Sequence, residues 1–170
     1  MTQIWPVESR AALDAFYGRH ELTTHGTPTA AWEHAHLTVI VLPYPMVLSW
    51  QPHSEVTRLQ CHRLVADSLG RVLAGILTHY GSVESVRSAR MTLTGGTYNY
   101  RPIAGSVQLS LHAYGAAIDL DPAQNPLGKP WAADTGMMPQ EVVALFAAEG
   151  WKWGGTFHNR KDCMHFQATA

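Results

Sequence analysis

The strongest constraint on the fold is one long amphipathic stretch. Val65, Leu69, Val72, Leu73, Ile76 and Tyr80 recur at helical spacing and share one face. Ser54 is read as the N-terminal cap and Gly81 as the stop. A helix with a single apolar face must lie on something, and the other apolar segments are mostly strand-sized. Leu37 to Leu42 is a β-branched run read as a buried strand that Pro43 and Pro45 interrupt, with Met46 to Trp50 as a short partner. Met91-Thr92-Leu93, Ala116 to Leu120, Trp151 to Trp153 and Met164 to Gln167 read as further strands, with Gly95-Gly96 as a turn. Two more helices are expected. One runs near Ser9 to Tyr17 and ends at Gly18; the other opens at Pro139, is lined by Val142, Val143 and Phe146, and closes at Gly150. Residues 19–36 and 121–138 read as loops, the latter long enough to suspect a function. The expected fold is α+β, a small antiparallel sheet flanked by helices.

At 170 residues, with no repeat, linker or low-complexity tract, the chain is expected to be one domain, residues 1–170, with 1–36 as an N-terminal extension. The net charge of −1 and the absence of a Lys/Arg run argue against nucleic acid as a partner. No stretch is apolar and long enough to cross a bilayer. The start, Met1-Thr2-Gln3-Ile4-Trp5-Pro6, lacks a basic region followed by an apolar run. A chain kept in the cytoplasm as synthesised is therefore expected. Two cysteines, Cys61 and Cys163, are too few for a disulfide scaffold.

Chemistry concentrates in two segments. One is Ser110-Leu111-His112-Ala113-Tyr114-Gly115-Ala116-Ala117-Ile118-Asp119, the other Asp162-Cys163-Met164-His165. A catalytic zinc takes three N, O or S ligands and keeps one position open. His112, Asp119 and His165 supply such a set, provided Gly115 permits a sharp turn and a strand pairing brings His165 in. Water at such an ion still needs a base, and Asp162, three residues before His165, is the candidate.

The Ser110–Asp119 segment resembles the Ser-x-His-x-x-Gly-x-Ala-x-Asp signature of the D-Ala-D-Ala carboxypeptidase and L-Ala-D-Glu endopeptidase family of zinc peptidases, matched at Ser110, His112, Gly115, Ala117 and Asp119. The Asp162–His165 segment is similar to that family's acid-x-x-His motif, met by Asp162 and His165, and the likeness extends from about Leu37 to the C-terminus. The resemblance implies one zinc ion (Zn2+) held by His112, Asp119 and His165, with Asp162 as general base and peptidoglycan stem peptide as substrate. Asp162 followed by Met164-His165-Phe166 is closer to the endopeptidase branch of phage lysis enzymes than to the carboxypeptidase branch. Arg101 is carried over as a binder of a substrate carboxylate or of the developing oxyanion. Ser110 and His158 are carried as substrate-side residues.

The implied protein is a monomeric hydrolase that reaches the cell wall after release. The alternatives are a D-alanyl-D-alanine carboxypeptidase or dipeptidase, and a non-catalytic wall-binding module. Asp121 is a rival ligand on the Asp119 strand face, and His34 and His36 are a lesser metal pair. Cys163 is expected to point away from His165 as a buried thiol. Trp131, Trp151 and Trp153 are read as packing before groove lining, and Gly154-Gly155 as a turn.

Overall fold

The structure is a computed structural model that describes residues 4–170. Residues 1–3, the first part of the segment read as lacking a leader, lie outside the described residues. The elements run α1 (Arg10–Tyr17), α2 (Ala30–His36), β1 (Leu37–Leu48), β2 (Gln51–His62), α3 (Ala66–Tyr80), α4 (Val83–Ser88), β3 (Leu93–Gly96), a 3-10 turn (Leu111–Tyr114), β4 (Ala117–Leu120), α5 (Gln140–Ala148), β5 (Lys152–Trp153) and β6 (His165–Gln167). The fold is α+β in a single small domain, as expected. None of the helices among the described residues is long and apolar enough to cross a membrane.

The sheet is mixed, which corrects the antiparallel expectation. Its order is β2-β1-β3-β4-β6-β5. β1 and β2 form an antiparallel hairpin, after which α3 and α4 carry the chain back to lay β3 parallel to β1, Val47 opposite Leu93. A parallel neighbour needs a long crossover, and the helical segment supplies it. The β3–β4, β4–β6 and β6–β5 pairs are antiparallel.

Other local readings are corrected too. β1 runs straight through Pro43 and Pro45, because the β1–β2 register shifts between Val41 and Met46 and asks no ladder hydrogen bond of either proline. Ser54 lies in β2; α3 opens only at Ala66, with Val65 at the N-cap position and no side-chain cap, and ends at Gly81 in the left-handed conformation. Within residues 19–36, Thr29 caps the seven-residue α2 by accepting a hydrogen bond from the Trp32 N–H. Gly95-Gly96 belongs to β3. The helices near Ser9 and Pro139 form as read, with the Ser9 side chain accepting from the Ala12 N–H.

The core lies between the sheet and α3 and α5. Leu69, Leu73 and Ile76 of α3 and Phe146 of α5 are fully buried, and Phe146 stacks on Phe166 of β6 with ring centroids 3.9 Å apart. The N-terminal segment is woven into this core. Trp5 is buried and donates from Nε1 to Glu149 O at 2.9 Å, and the Tyr17 hydroxyl donates to Ala168 O at 2.6 Å.

Candidate metal centre

β4 is short and wholly buried, and the small Ala116 and Ala117 let neighbouring chain approach its start. Its register with β6 sets Asp119 directly opposite His165. Residues opposite each other on an antiparallel pair share a face, so both side chains point to one spot. On the other flank lies β3, where a Cβ at Gly95 would come within 2.8 Å of the Asp119 Cβ. Only glycine leaves that carboxylate its place.

His112 arrives from the 3-10 turn. Ser110 caps the turn, its Oγ accepting from the His112 N–H at 3.3 Å. Gly115 ends it at φ +69°, pressed so close to the backbone of Cys61 and His62 that a Cβ would lie 2.8 Å from the His62 nitrogen. The sharp turn required of Gly115 is thus present. Asp162 and His165 are joined by a one-turn backbone bond, the His165 N–H donating to Asp162 O at 3.1 Å, which is the physical content of the acid-x-x-His spacing.

Three ligand atoms converge. His165 Nδ1 lies 2.9 Å from Asp119 Oδ1, His112 Nε2 lies 3.1 Å from the same oxygen, and the two ring nitrogens are 3.2 Å apart. Zinc bonds of roughly 2.0–2.1 Å in tetrahedral array place ligand atoms about 3.3 Å apart, so the triangle fits such an ion. The protonation pattern points the same way. His112 Nδ1 faces Thr97 O at 2.8 Å, and a carbonyl can only accept, so Nδ1 carries the proton and Nε2 a lone pair. Gln167 donates its amide to Thr169 and turns Oε1 to His165 Nε2 at 3.0 Å, which leaves His165 Nδ1 as the free lone pair. Three buried lone pairs therefore face one another. A proton can relieve one contact; a cation at the centre relieves all three.

The electrostatics follow from that crowding. Burial by itself would raise the Asp119 carboxyl, but the charge and hydrogen bonds of His112 and His165 outweigh it and hold it well below the usual carboxylate range. Burial would lower His165, and its bond to Asp119 reverses the sign and raises it. Asp162 behaves differently. Burial is the main influence, and its carboxyl is pushed up to about 6. Its Oδ1 is buried without a hydrogen-bond partner. Gly154 packs against the Asp162 carbonyl, which rules out a side chain at that position.

Asp162, His165, Arg101 and Ser110 line one cavity of about 160 Å³, together with Phe157 and Arg160. Arg101 and His112 also border another groove with Trp50, Tyr98 and Asn99. His158 is exposed and is not among the residues lining this cavity. Asp121 is not a ligand: its carboxylate is clamped by Arg90 in a two-bond pair at 2.7 and 2.9 Å. Cys163 points its buried Sγ toward Lys129 O, away from His165. His34 and His36 form no metal-type group; His112, Asp119 and His165 are the one such group among the described residues. Trp151 is core, Trp131 donates to Met138 O, and Trp153 donates to Cys163 O.

Two contributors escaped the sequence. Gln167 orients His165 and sits two residues on along the same strand face, a signal that alternation carries. Thr97 orients His112 through its backbone carbonyl, which no side-chain pattern encodes.

Residues 104–168 match the family model described as D-alanyl-D-alanine carboxypeptidase, a shorter stretch than the Leu37-to-C-terminus likeness read from the motifs. No curated protein and no solved structure matches the chain. The matched stretch includes Ser110, His112, Asp119, Asp162, His165 and Gln167, so the candidate site lies within the part of the chain that is similar to this family.

Proposed function

We propose that the chain is a zinc-dependent peptidase that hydrolyses a stem-peptide bond of bacterial peptidoglycan, the bond between L-Ala and D-Glu. The observation that carries this is the triangle of lone pairs at His112, Asp119 and His165, with a partnerless carboxyl oxygen of Asp162 buried in the adjoining cavity.

Zinc held by His112 Nε2, Asp119 Oδ1 and His165 Nδ1 supplies Lewis acidity at neutral pH. The rest of the work falls to the chain. Asp162, raised toward neutrality by burial, takes the proton of the attacking water and returns it to the leaving amine. Thr97 and Gln167 fix the ring orientations through the outer nitrogens. Arg101 offers a guanidinium to a substrate carboxylate or to the developing oxyanion. Ser110 holds the turn that presents His112 and lines the substrate side.

The cavity does not end at Glu8, Ile103 and Leu111. It adjoins a further groove of about 190 Å³ that shares Glu8, Ile103 and Leu111 with it. A cleft that continues away from the site has room for more of a peptide than a single terminal residue, which favours the endopeptidase over release of a terminal D-Ala. The Asp162-x-Met164-His165-Phe166 context favours the same branch. A lysis enzyme of phage type, acting on the wall after release from the cytoplasm, is the biological role this reading supports.

Mass spectrometry of products from purified peptidoglycan, with and without chelator, tests the proposal. Chelator-sensitive peptides beginning at D-Glu are expected. Chelator-sensitive loss of terminal D-Ala would move the activity to the carboxypeptidase reading that the family description favours. Products that persist in chelator, or no products from a zinc-loaded chain, would refute the proposal.

A further inference from the structure

The N-terminal segment lies outside the family match, yet it walls the cleft. Glu8 lines both the cavity beside Asp162 and the groove that continues it. It is held there by the segment's anchors on either side: Trp5 is buried in the core, Ala170 N–H donates to Pro6 O at 2.9 Å, and α1 begins at Arg10. The charges along the cleft are ordered. At the inner end Arg101 and Arg160 line the wall, and among the described residues neither has a carboxylate partner within ion-pair distance. At the outer end the ionised residues are Glu8 and Arg10, and Arg10 is committed to Asp14 at 2.8 Å.

We propose that Glu8 forms a second subsite, one that receives an ammonium group of a peptide whose carboxylate is held by Arg101 and Arg160. The inference rests on the peptidase reading and names the substrate class more closely: a peptide with an anionic residue next to the cut and a cationic side chain beyond it. Glu8 already has a cation, Lys152 Nζ at 3.2 Å, which also stands 5.9 Å above the Phe157 ring. Both partners are 39% exposed, and a pair so open to water is only weakly held. A substrate ammonium exchanges with Lys152 at little cost, so Lys152 acts as a stand-in that keeps Glu8 in place.

The test uses the full-length Asp162→Asn chain loaded with zinc, which binds without turnover, and calorimetry. The probes are the tetrapeptide L-Ala–γ-D-Glu–L-Lys–D-Ala and its norleucine counterpart, which differ by one ammonium group. The lysine peptide is expected to bind about fivefold tighter, a ratio equivalent to about 1 kcal/mol. Glu8→Gln should bring the ratio to about one, and Lys152→Met should raise it, because the competing cation is gone. No preference in the parent chain, a preference that survives Glu8→Gln, or one that falls in Lys152→Met would overturn the subsite. Hydrolysis of the lysine peptide by the unaltered chain separates the two readings. Binding preference without cleavage keeps the subsite and rejects the peptidase; cleavage without preference rejects the subsite alone.

Discussion

Replacing Asp162 by Asn should cut turnover and stabilise the fold at once. The carboxyl is held at about 6, raised from 3.8 by burial, and one of its oxygens has no hydrogen-bond partner. A tenfold change in an ionisation constant corresponds to about 1.4 kcal/mol, so the ionised carboxylate costs the folded state at most about 3 kcal/mol. Solvent reaches the group from the cleft, and screening reduces the expected figure to about 1–2 kcal/mol. The sign follows from the direction in which burial moves the group. A folded value above the unfolded one means the penalty is absent below pH 4, grows between pH 4 and 6, and is complete above 6. Asparagine cannot ionise, so Asp162→Asn and the parent chain should be equally stable near pH 4 and diverge above it. For a chain of this size the gain at pH 7 is a rise in Tm of about 2–8 °C. The assay is thermal unfolding in chelator from pH 4 to 8, beside hydrolysis in zinc, which should fall about 10²–10⁴-fold. A variant that is less stable at pH 7, or whose advantage does not depend on pH, would show that Asp162 is not held as a strained base.

Four other outcomes follow from the same contacts. His62 donates from Nε2 to Tyr17 O and accepts from the Leu64 N–H at Nδ1, so burial keeps it neutral and its pKa falls to about 4. Stability should therefore be full above pH 6.5 and decline toward pH 4 by up to about 3 kcal/mol; urea unfolding of His62→Gln should show a flatter slope over that window, and an unchanged slope counts against it. Gln167→Ala frees the His165 ring and should weaken zinc about 10–100-fold in competition with a chromophoric chelator; a change under about threefold would remove Gln167 from the site. Gly154→Ala drives a methyl into the Asp162 carbonyl and should cut the rate about 10²-fold with zinc content intact; a normal rate would mean the loop yields freely. Asp119→Ala should reduce bound zinc from one ion per chain to none by elemental analysis, and retained stoichiometry would dismiss the ligand triangle.

The candidate ligands were legible because metal chemistry restricts residue type, and among the described residues only His112, Asp119 and His165 combine the right donors with a turn glycine and a downstream strand. Their convergence was not, because it depends on the β4–β6 register and on β3 standing behind Asp119. Helices with side-chain caps or clear glycine stops, such as α1 and the end of α3, read directly. β2 did not: it is an edge strand, exposed along most of its length, so no alternation of apolar and polar residues marks it. The prolines of β1 hid its continuity for the opposite reason, since a local rule against proline in strands gives way where the register is broken. α2 and α4, at seven and six residues, are too short to show a period.

The buried triangle also links the metal to the proton. With each outer ring nitrogen committed, to Thr97 O and Gln167 Oε1, the inner nitrogens and Asp119 Oδ1 can be reconciled only by positive charge between them. Where no metal supplies that charge a proton can, in keeping with the opposite directions in which the pair's bonds and charges move the two groups, His165 up and Asp119 down. A metal entering the site must displace it, so affinity falls as pH falls. The outer bonds make this exchange clean. They stop the rings from turning to relieve the crowding, so the site stays shaped for a cation whether a proton or a metal supplies it. The β4–β6 register, the small residues beside it and the glycines at 95 and 115 serve that one geometry. Asp162, the proposed base, stands apart, on the turn before β6, and among the described residues shares no hydrogen bond with the cluster except through its backbone. On the proposed reading, holding the charge and moving the proton thus fall to separate pieces of chain.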